Sequence, residues 1–237
     1  MKAAIRWAFR KAGYDLVRYT DTPLRPFDVL KLVVDGRVAA GRDVRFVQIG
    51  ANDGVRHDPI RDLVIRHRLP GLFVEPVPDL FESLKANYAG HPGAAFEQCA
   101  VGDQDGRATL YRVRPDPGLP DWLQGIASFD RRHLSSRKFG VEGLERHVEP
   151  VTVPVLTVAS LLRKHGLDGC DLLQVDTEGQ DCRIVQSAIR AGLRPAIINY
   201  EFLHARPDER AACKRLLADH GYAFVDVGRD TLAVRED

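Results

Sequence analysis

The chain is expected to form one α/β domain built on a doubly wound, mostly parallel sheet of seven strands. Three observations predict this fold. Short apolar runs alternate with amphipathic helical stretches from residue 45 onward, which is typical of βαβ units. Several apolar runs end at a glycine or an acidic residue, as strands do when they lead into a ligand site. The length of 237 residues suits a single large domain.

The predicted elements follow in chain order. Strands are predicted at residues 45–49, 71–74, 95–101, 107–113, 151–155, 171–175, 196–200, 222–227 and 231–234. Helices are predicted after the turn at 50–54, over 78–88, between Thr157 and Gly166, over 180–191 and between Pro207 and Gly221. The strands at 95–101 and 107–113 are predicted to pair as a hairpin, and the last two strands are expected to add an antiparallel hairpin at one side of the sheet.

Two segments do not follow this alternation of strands and helices. Residues 1–20 predict an amphipathic, basic helix that opens a helical extension at 1–40, ahead of the domain at 41–237. This helix either packs on the domain or lies on an anionic membrane surface. Residues 114–150 lack periodicity and are expected to form a lid over the domain. Within the lid, Ser128 and His133 either face a bound acceptor or are simply exposed.

Composition and charge exclude several classes of protein. Hydrophobic residues make up 44% of the chain, and 34 Lys and Arg balance 33 Asp and Glu. This mixture argues against disorder, and the near-zero net charge argues against a nucleic-acid partner. Four scattered cysteines without a CxxC pair favour a reducing cytoplasm. No apolar run reaches the roughly 20 residues of a membrane span. A cytoplasmic, possible peripheral-membrane location is the expectation, and a homodimer stays open.

The first two strands end in residues suited to an adenosine-type ligand. The first strand leads into Gly50-Ala-Asn52-Asp53-Gly54, and Glu75 lies 21 positions after Gly54 at the end of the second strand. An acidic residue in that place receives the two hydroxyls of a ribose and repels a ribose phosphate. The turn is not G-x-G-x-x-G, which argues against a dinucleotide.

Four motifs occur together: VQIGANDG at 47–54, VEPVP at 74–78, CAVGDQDG at 99–106 and LLQVDTEGQD at 172–181. In order and spacing they resemble the FkbM family of S-adenosylmethionine-dependent methyltransferases over about residues 44–205. The resemblance implies the Rossmann-like sheet of class I methyltransferases and S-adenosylmethionine as cofactor. The residues that it implies for cofactor binding are Gln48, Gly50, Asn52, Asp53, Gly54, Glu75, Pro76, Ala100, Val101, Asp103 and Asp176.

The resemblance also implies which of these residues would contact each part of the cofactor. The glycine turn would wrap the methionine end, Glu75 would hold the ribose, and residues 100–103 would border the adenine. Many family members carry an acid where this chain has Gln48. That acid helps to hold the cofactor's ammonium group, so Asp176 is the candidate to replace it.

The predicted catalytic residues are Asp176, Glu178, Glu201 and His204. They follow two neighbouring strands, and His204, alongside Asp176, is the favoured base for a weakly nucleophilic hydroxyl. Asp176, Glu178 and Glu201 are also a candidate oxygen site for Mg²⁺; alternatively these carboxylates line the cleft without an ion. Asp58 is interpreted as a helix cap rather than a catalyst, and Glu178 and Asp181 are alternatively charges at a helix N-terminus.

The expected activity is O-methylation of a hydroxyl on a saccharide, as in a glycolipid or polysaccharide, or on a related natural product. This acceptor class is implied by the resemblance. Alternatives are an N-methyltransferase of a small molecule or protein, and a non-catalytic cofactor-binding scaffold. N-methylating enzymes often carry Asn/Asp-Pro-Pro-Tyr/Phe after the fourth strand, where this chain has residues 176–179, Asp-Thr-Glu-Gly.

Overall fold

The computed structural model describes residues 28–123 and 125–235. Its strands are β1 (Phe46–Ile49), β2 (Gly71–Val74), β3 (Ala94–Glu97), β4 (Ala100–Val101), β5 (Gly106–Val113), β6 (Ala127–Ser128), β7 (Val148–Leu156), β8 (Leu172–Val175), β9 (Ile197–Glu201), β10 (Tyr222–Val227) and β11 (Asp230–Arg235). Its α-helices are α1 (Val29–Ala39), α2 (Arg61–His67), α3 (Pro78–Asn87), α4 (Ser136–Phe139), α5 (Val158–Lys164), α6 (Asp181–Arg190) and α7 (Pro207–Asp219).

The main sheet has seven strands in the order β10-β11-β9-β8-β1-β2-β3. The five strands from β9 to β3 run parallel, and β11 pairs antiparallel with both β9 and β10. The predicted closing hairpin is therefore confirmed. The chain order reverses where β8 lies beside β1, and a ligand cleft is expected at the carboxyl ends of the strands there.

The parallel strands are buried on both faces. All four residues of β1, β2 and β8 are buried, as expected for a sheet that helices cover on both sides. Val47 and Leu173 face one apolar core, against α5, α6 and α7. Phe46 and Phe73 face the other core, against α1, α2 and α3. This packing confirms the doubly wound architecture.

The prediction of one sheet and of a hairpin between residues 95–101 and 107–113 is wrong. β4 pairs in parallel with β7, and β5 pairs antiparallel with the other edge of β7, in a second sheet of order β4-β7-β5-β6. The nine-residue β7 pairs with all eight residues of β5 and covers an apolar core that includes Leu110 and Val153. This partner lies about 40 residues further along the chain, so local alternation could not reveal it.

The segment predicted to form a lid contains more structure than the sequence indicates. Between β5 and β7 it carries α4, β6 and short 3₁₀ helices at Asp121–Leu123, Arg131–His133 and Leu144–His147. Leu123, Leu134 and Leu144 pack with Val113 in a small apolar core beneath it. We call residues 114–147 the insertion; its β6 strand attaches it to β5.

The predicted N-terminal helix at residues 1–20 lies outside the described residues. The first described helix, α1, begins after Asp28, whose carboxylate accepts a hydrogen bond from the N–H of Lys31. Leu30 and Val34 of α1 are buried against the sheet. In the part of the chain that the structure describes, no helix has the length and apolar character required to cross a bilayer.

Candidate active site

A cleft of about 990 Å³ opens at the carboxyl ends of β1, β2, β8 and β9. It has two ends that different parts of the chain supply. The glycine-turn end comprises Gln48, the turn at 50–54, Asp58 and Glu75. The insertion end comprises Lys138, Asp176, Glu178, Glu201 and His204, and His133 lies beside Glu178 without lining the cleft itself. The insertion covers both ends, since Gly125 lies against the side chain of Asn52 and Lys138 lines the cleft.

The backbone of the glycine turn requires glycine at position 50. Gly50 has a φ of +82°, and a Cβ there would lie 1.8 Å from the carbonyl oxygen of Asp176. The ends of β1 and β8 therefore approach each other more closely than any side chain permits. Asn52 also lies in the left-handed region, with a φ of +52°. The turn thus exposes backbone rather than side chains to a ligand.

Glu75 anchors this turn. Its side chain accepts hydrogen bonds from the N–H of Asn52, at 2.8 Å, and from the N–H of Val77, at 2.9 Å. The residue is only 5% exposed, and burial raises the pKa of Glu75 to about 7. A carboxylate has about four acceptor positions, so the two oxygens that hold the turn keep capacity for ligand hydroxyls in the cleft.

The cleft includes most, but not all, of the predicted cofactor residues. Asp53, Gly54 and Asp103 do not line it. Asp53 accepts the N–H groups of Val55 and Arg56 and so closes the turn behind the cleft. Gly54 lies beneath the ring of Tyr88, and Asp103 is exposed after β4. The predicted residues that line the cleft are Gln48, Gly50, Asn52, Glu75, Pro76, Ala100, Val101 and Asp176.

Gln48 and Asp58 lie side by side at the glycine-turn end. The carboxylate of Asp58 accepts the N–H groups of Ile60 and Arg61. The predicted cap position is nevertheless wrong, because α2 begins at Arg61 and its N-cap residue is Ile60, so Asp58 holds the turn just before the helix. Burial raises the pKa of Asp58 to about 6, and a hydrogen bond from Gln48 opposes that rise. The Oε1 atom of Gln48 is buried without a hydrogen-bond partner, so the cleft offers an unused acceptor.

Three carboxylates of the insertion end differ sharply in proton affinity. Burial and the neighbouring Glu201 raise the pKa of Asp176 well above its usual value. Burial and the charge of Glu178 raise the pKa of Glu201 to about 7. Burial alone would raise the pKa of Glu178 too, but the imidazoles of His133 and His204 outweigh it and lower the pKa to about 2. Groups with such divergent pKa values in one cleft are typical of active sites.

The side chains of His133, Glu178 and His204 converge at this end. His204 Nε2 lies 2.9 Å from Glu178 Oε2 and 3.4 Å from Glu201 Oε2. The Nζ atom of Lys138 lies 2.8 Å from the other ring nitrogen of His204, Nδ1. The sequence left the role of His133 open because it lies in a segment without periodicity. The fold brings it 3.5 Å from Glu178 Oε2.

The residues predicted to hold Mg²⁺ do not form a convergent group. Among the described residues, the histidines and acids whose ligand atoms all lie within 4.8 Å of one another are His133, Glu178 and His204. Asp176 and Glu201 are not part of that group. Asp181 accepts the N–H groups of Thr177 and Gly179, so its carboxylate holds the loop after β8, as its position at the start of α6 suggests.

Aromatic side chains lie at the mouth of the cleft. Trp122 of the insertion is 46% exposed and lines the cleft. Its ring lies 5.8 Å from that of Phe139, and Phe139 and Leu203 also line the cleft. An exposed tryptophan beside a polar site offers a flat apolar surface to a ligand that also carries hydrogen-bonding groups.

The sheet order, the glycine turn and the strand-end acids define a methyltransferase-like α/β protein with a mixed sheet. The family model described as the methyltransferase FkbM domain matches residues 48–224. The chain therefore belongs to the FkbM methyltransferase family, as the sequence motifs suggested, and is an S-adenosylmethionine-dependent methyltransferase.

Solved methyltransferase structures match the chain at low sequence identity. The FkbM methyltransferase of Methylobacillus flagellatus KT is 13% identical with a TM-score of 0.50, and the match covers 81% of this chain but only 43% of that one. The precorrin-6y C5,15-methyltransferase of Geobacter metallireducens GS-15 is 13% identical with a TM-score of 0.41, and 91% of each chain is covered. No curated protein matches the chain significantly.

Proposed function

We propose that the protein transfers the methyl group of S-adenosylmethionine to a hydroxyl of a saccharide, such as a sugar of a glycolipid or polysaccharide, or of a related natural product. The observation that carries this proposal is the composition of one cleft. It joins a backbone-lined turn and a strand-end acid suited to the cofactor with carboxylates and an imidazole suited to a hydroxyl.

The charges of the cleft support a cationic cofactor. The cofactor carries an ammonium and a sulfonium group, and Asp176, Glu178 and Glu201 all line the cleft. A cation that enters lowers the pKa of buried carboxyl groups and so ionises them. The unpartnered Oε1 of Gln48 fits a donor such as the ammonium, next to the proposed partner Asp176. The residues present therefore fit the cofactor.

The ribose is proposed to lie against Glu75 and Pro76, and the adenine between Ala100 and Val101. Glu75 and Pro76 directly follow β2, Ala100 and Val101 form β4, and all four line the cleft. Glu75 is buried and already oriented by two backbone N–H groups. Little further ordering is needed when the ribose hydroxyls bind, which favours tight binding.

Glu201 is our preferred base for the acceptor hydroxyl. The Oε2 atom of Glu201 is buried without a hydrogen-bond partner, whereas both ring nitrogens of His204, the base favoured from the sequence, have close neighbours. The acceptor oxygen forms the new O–C bond as the C–S bond breaks and its electron pair passes to sulfur. The hydroxyl proton passes to Glu201, and the products are a methyl ether and S-adenosylhomocysteine.

Trp122 and Phe139 are proposed to hold the acceptor ring over this group. A sugar presents apolar C–H faces and polar edges, which match an exposed tryptophan above a polar cluster. Such positioning supplies much of the rate of a transfer between two bound groups.

The test is a transfer assay with isotopically labelled S-adenosylmethionine and a panel of saccharide, glycolipid and amine acceptors. We expect label in a base-stable methyl ether of one saccharide class and none in the amines. Label in an amine product instead would favour N-methylation and overturn the proposed acceptor. As a parallel control, calorimetry with S-adenosylhomocysteine tests whether the cleft binds the product form of the cofactor.

A further inference from the structure

The insertion end brings together ligand atoms that typically bind a metal. His133 comes from the insertion, Glu178 follows β8, and His204 follows β9. One ligand atom from each lies within 4.8 Å of the other two. The chain thus uses three separate segments to bring two imidazoles and one carboxylate to one point.

The spacing of these atoms matches a coordination sphere. Glu178 Oε2 lies 2.9 Å from His204 Nε2 and 3.5 Å from His133 Nε2. His204 Nε2 also lies 3.4 Å from Glu201 Oε2. Ligand atoms that lie 2.0–2.1 Å from a tetrahedral Zn²⁺ are about 3.3 Å apart. The two separations within the group, 2.9 and 3.5 Å from Glu178 Oε2 to the two imidazole nitrogens, lie on either side of that value.

The carboxylates of this cluster are not fully satisfied by their neighbours. Glu178 Oε2 and Glu201 Oε2 are buried without a hydrogen-bond partner although ring nitrogens lie close to them. The imidazoles therefore lie at ion-pair distance from oxygens that keep capacity for a further partner. A buried carboxylate oxygen without a full set of partners is costly, and a metal ion bound by Glu178 would satisfy its oxygen.

The backbone is strained where it presents Glu178. This residue has a φ of +55°, in the left-handed region that non-glycine residues rarely adopt. Gly179 follows with a φ of +122° and lies 3.7 Å, measured from the position of a Cβ, from the Cβ of His204. Strain of this kind persists where surrounding structure imposes it, typically at ligand sites.

A cation already lies at this point. The Nζ atom of Lys138 contacts both ring nitrogens of His133, most closely Nε2, and lies 2.8 Å from His204 Nδ1. Lys138 is exposed and its long side chain can leave without disturbing the fold. It is therefore a competitor that balances the charge of the carboxylates until a metal ion binds.

We propose that His133, Glu178 and His204 bind a divalent transition-metal ion such as Zn²⁺, and that Glu201 lies next to the bound ion. Two imidazole nitrogens favour this class over Mg²⁺, which prefers oxygen ligands. A site with three protein ligands keeps a position open for a further oxygen. Because His133 belongs to the insertion, the ion would also fasten the insertion to the ends of β8 and β9.

The role of the ion rests on the proposed function. An acceptor hydroxyl at the open position would have its pKa lowered by the ion. Its proton would pass to Glu201, and its oxygen would then take the methyl group. Binding of the ion itself depends only on the side chains of His133, Glu178 and His204.

The test measures metal binding without any reaction. Chelator-treated protein is titrated with Zn²⁺ in a calorimeter, and with Co²⁺, whose visible absorption reports four-coordinate nitrogen and oxygen ligands. We expect about one ion per chain and a loss of at least about 100-fold in affinity for His133→Ala, which removes a ligand. His67→Ala is the matched control because His67 pairs with Asp35 away from the cleft, and it should bind as the wild type does.

Lys138→Met sharpens the test. Without the competing ammonium group, this variant should bind Zn²⁺ more tightly than the wild type. Binding weaker than about 0.1 mM in both proteins, or equal binding by His133→Ala and the wild type, would overturn the site. Methyl transfer to a saccharide by protein that binds no metal would overturn the metal site and support the proposed function. Binding of one metal ion per chain without any methylated saccharide would support the metal site and overturn the proposed function.

Discussion

The two ends of the cleft satisfy their buried polar groups in opposite ways. At the glycine-turn end, Glu75 accepts two backbone N–H groups, and Asp58 accepts two more. At the insertion end, Glu178 and Glu201 each retain a buried oxygen without a donor. The glycine-turn end thus holds its carboxylates with backbone donors and leaves the amide oxygen of Gln48 unpaired, whereas the insertion end leaves two carboxylate oxygens unpaired.

This contrast follows from where the residues originate. The glycine-turn end is built from the ends of neighbouring parallel strands and backbone atoms, which the sheet fixes. The insertion end adds side chains of residues 131–139, and these rest on a small apolar core of their own. A turn fixed by the sheet beside a more adaptable cluster fits the proposed division of the cleft into a cofactor site and an acceptor site.

The largest effect on cofactor binding and on stability is expected for Gly50→Ala. The new Cβ would lie 1.8 Å from the carbonyl oxygen of Asp176 and would require a positive φ, so β1 and β8 must separate. We expect loss of S-adenosylhomocysteine binding in calorimetry and a marked fall in melting temperature. Gly36→Ala, in α1 with nothing within 4 Å of the added Cβ, should instead stabilise by up to about 1 kcal/mol. Cofactor affinity that survives in Gly50→Ala would show that the turn is not preformed.

The next effect concerns the insertion end and the proposed base. Glu201→Gln keeps the shape but cannot accept the hydroxyl proton, so we expect the turnover number to fall by about 10²–10⁴. The affinity for S-adenosylhomocysteine and the melting temperature should stay close to the wild type. Glu97→Gln is the matched control, since Glu97 pairs with Lys164 and His165 outside the cleft. A turnover number unchanged in Glu201→Gln would remove Glu201 from the mechanism.

The sequence predicted the glycine-turn end well because its geometry is local. Strand ends, a glycine turn and an acid at the next strand end follow one another along the chain, and the parallel sheet places them together. Which side chains of the turn face the ligand was harder to infer. Asp53 lies in the motif but turns back to the N–H groups of Val55 and Arg56, as aspartates in turns commonly do.

The insertion end could not be predicted in the same way. His133 lies in a segment without periodicity, and its neighbours Glu178 and His204 are 45 and 71 positions further along the chain. Only the pairing of β5 with β7, which the sequence analysis missed, places the insertion over the ends of β8 and β9. Contacts between an irregular segment and distant strand ends depend on the whole fold rather than on any local pattern.

A smaller effect separates two roles of Glu75. In Glu75→Gln the amide group faces a backbone N–H, so the turn loses one of two hydrogen bonds, at about 1–3 kcal/mol of stability. If Glu75 also holds the ribose, 2′-deoxy-S-adenosylhomocysteine should bind about tenfold more weakly than S-adenosylhomocysteine to the wild type but equally well to the variant. If Glu75→Gln still binds the 2′-deoxy ligand more weakly than S-adenosylhomocysteine, Glu75 holds the turn but does not bind the ribose.

The smallest effect is the pH dependence of stability at the glycine-turn end. Burial raises the pKa of Asp58 to about 6 and that of Glu75 to about 7, so between about pH 4 and 7 the folded protein binds protons that the unfolded chain has released. The free energy of unfolding of the protein without cofactor should therefore fall as the pH rises through this window, by up to about 1.4 kcal/mol per pH unit for each group. Asp58→Asn keeps an oxygen for the N–H groups of Ile60 and Arg61 and should flatten the profile below pH 6. Urea unfolding at half-unit pH steps measures both, and a stability that instead rises from pH 5 to 7 would mean that these carboxylates are ionised and stabilised in the folded protein.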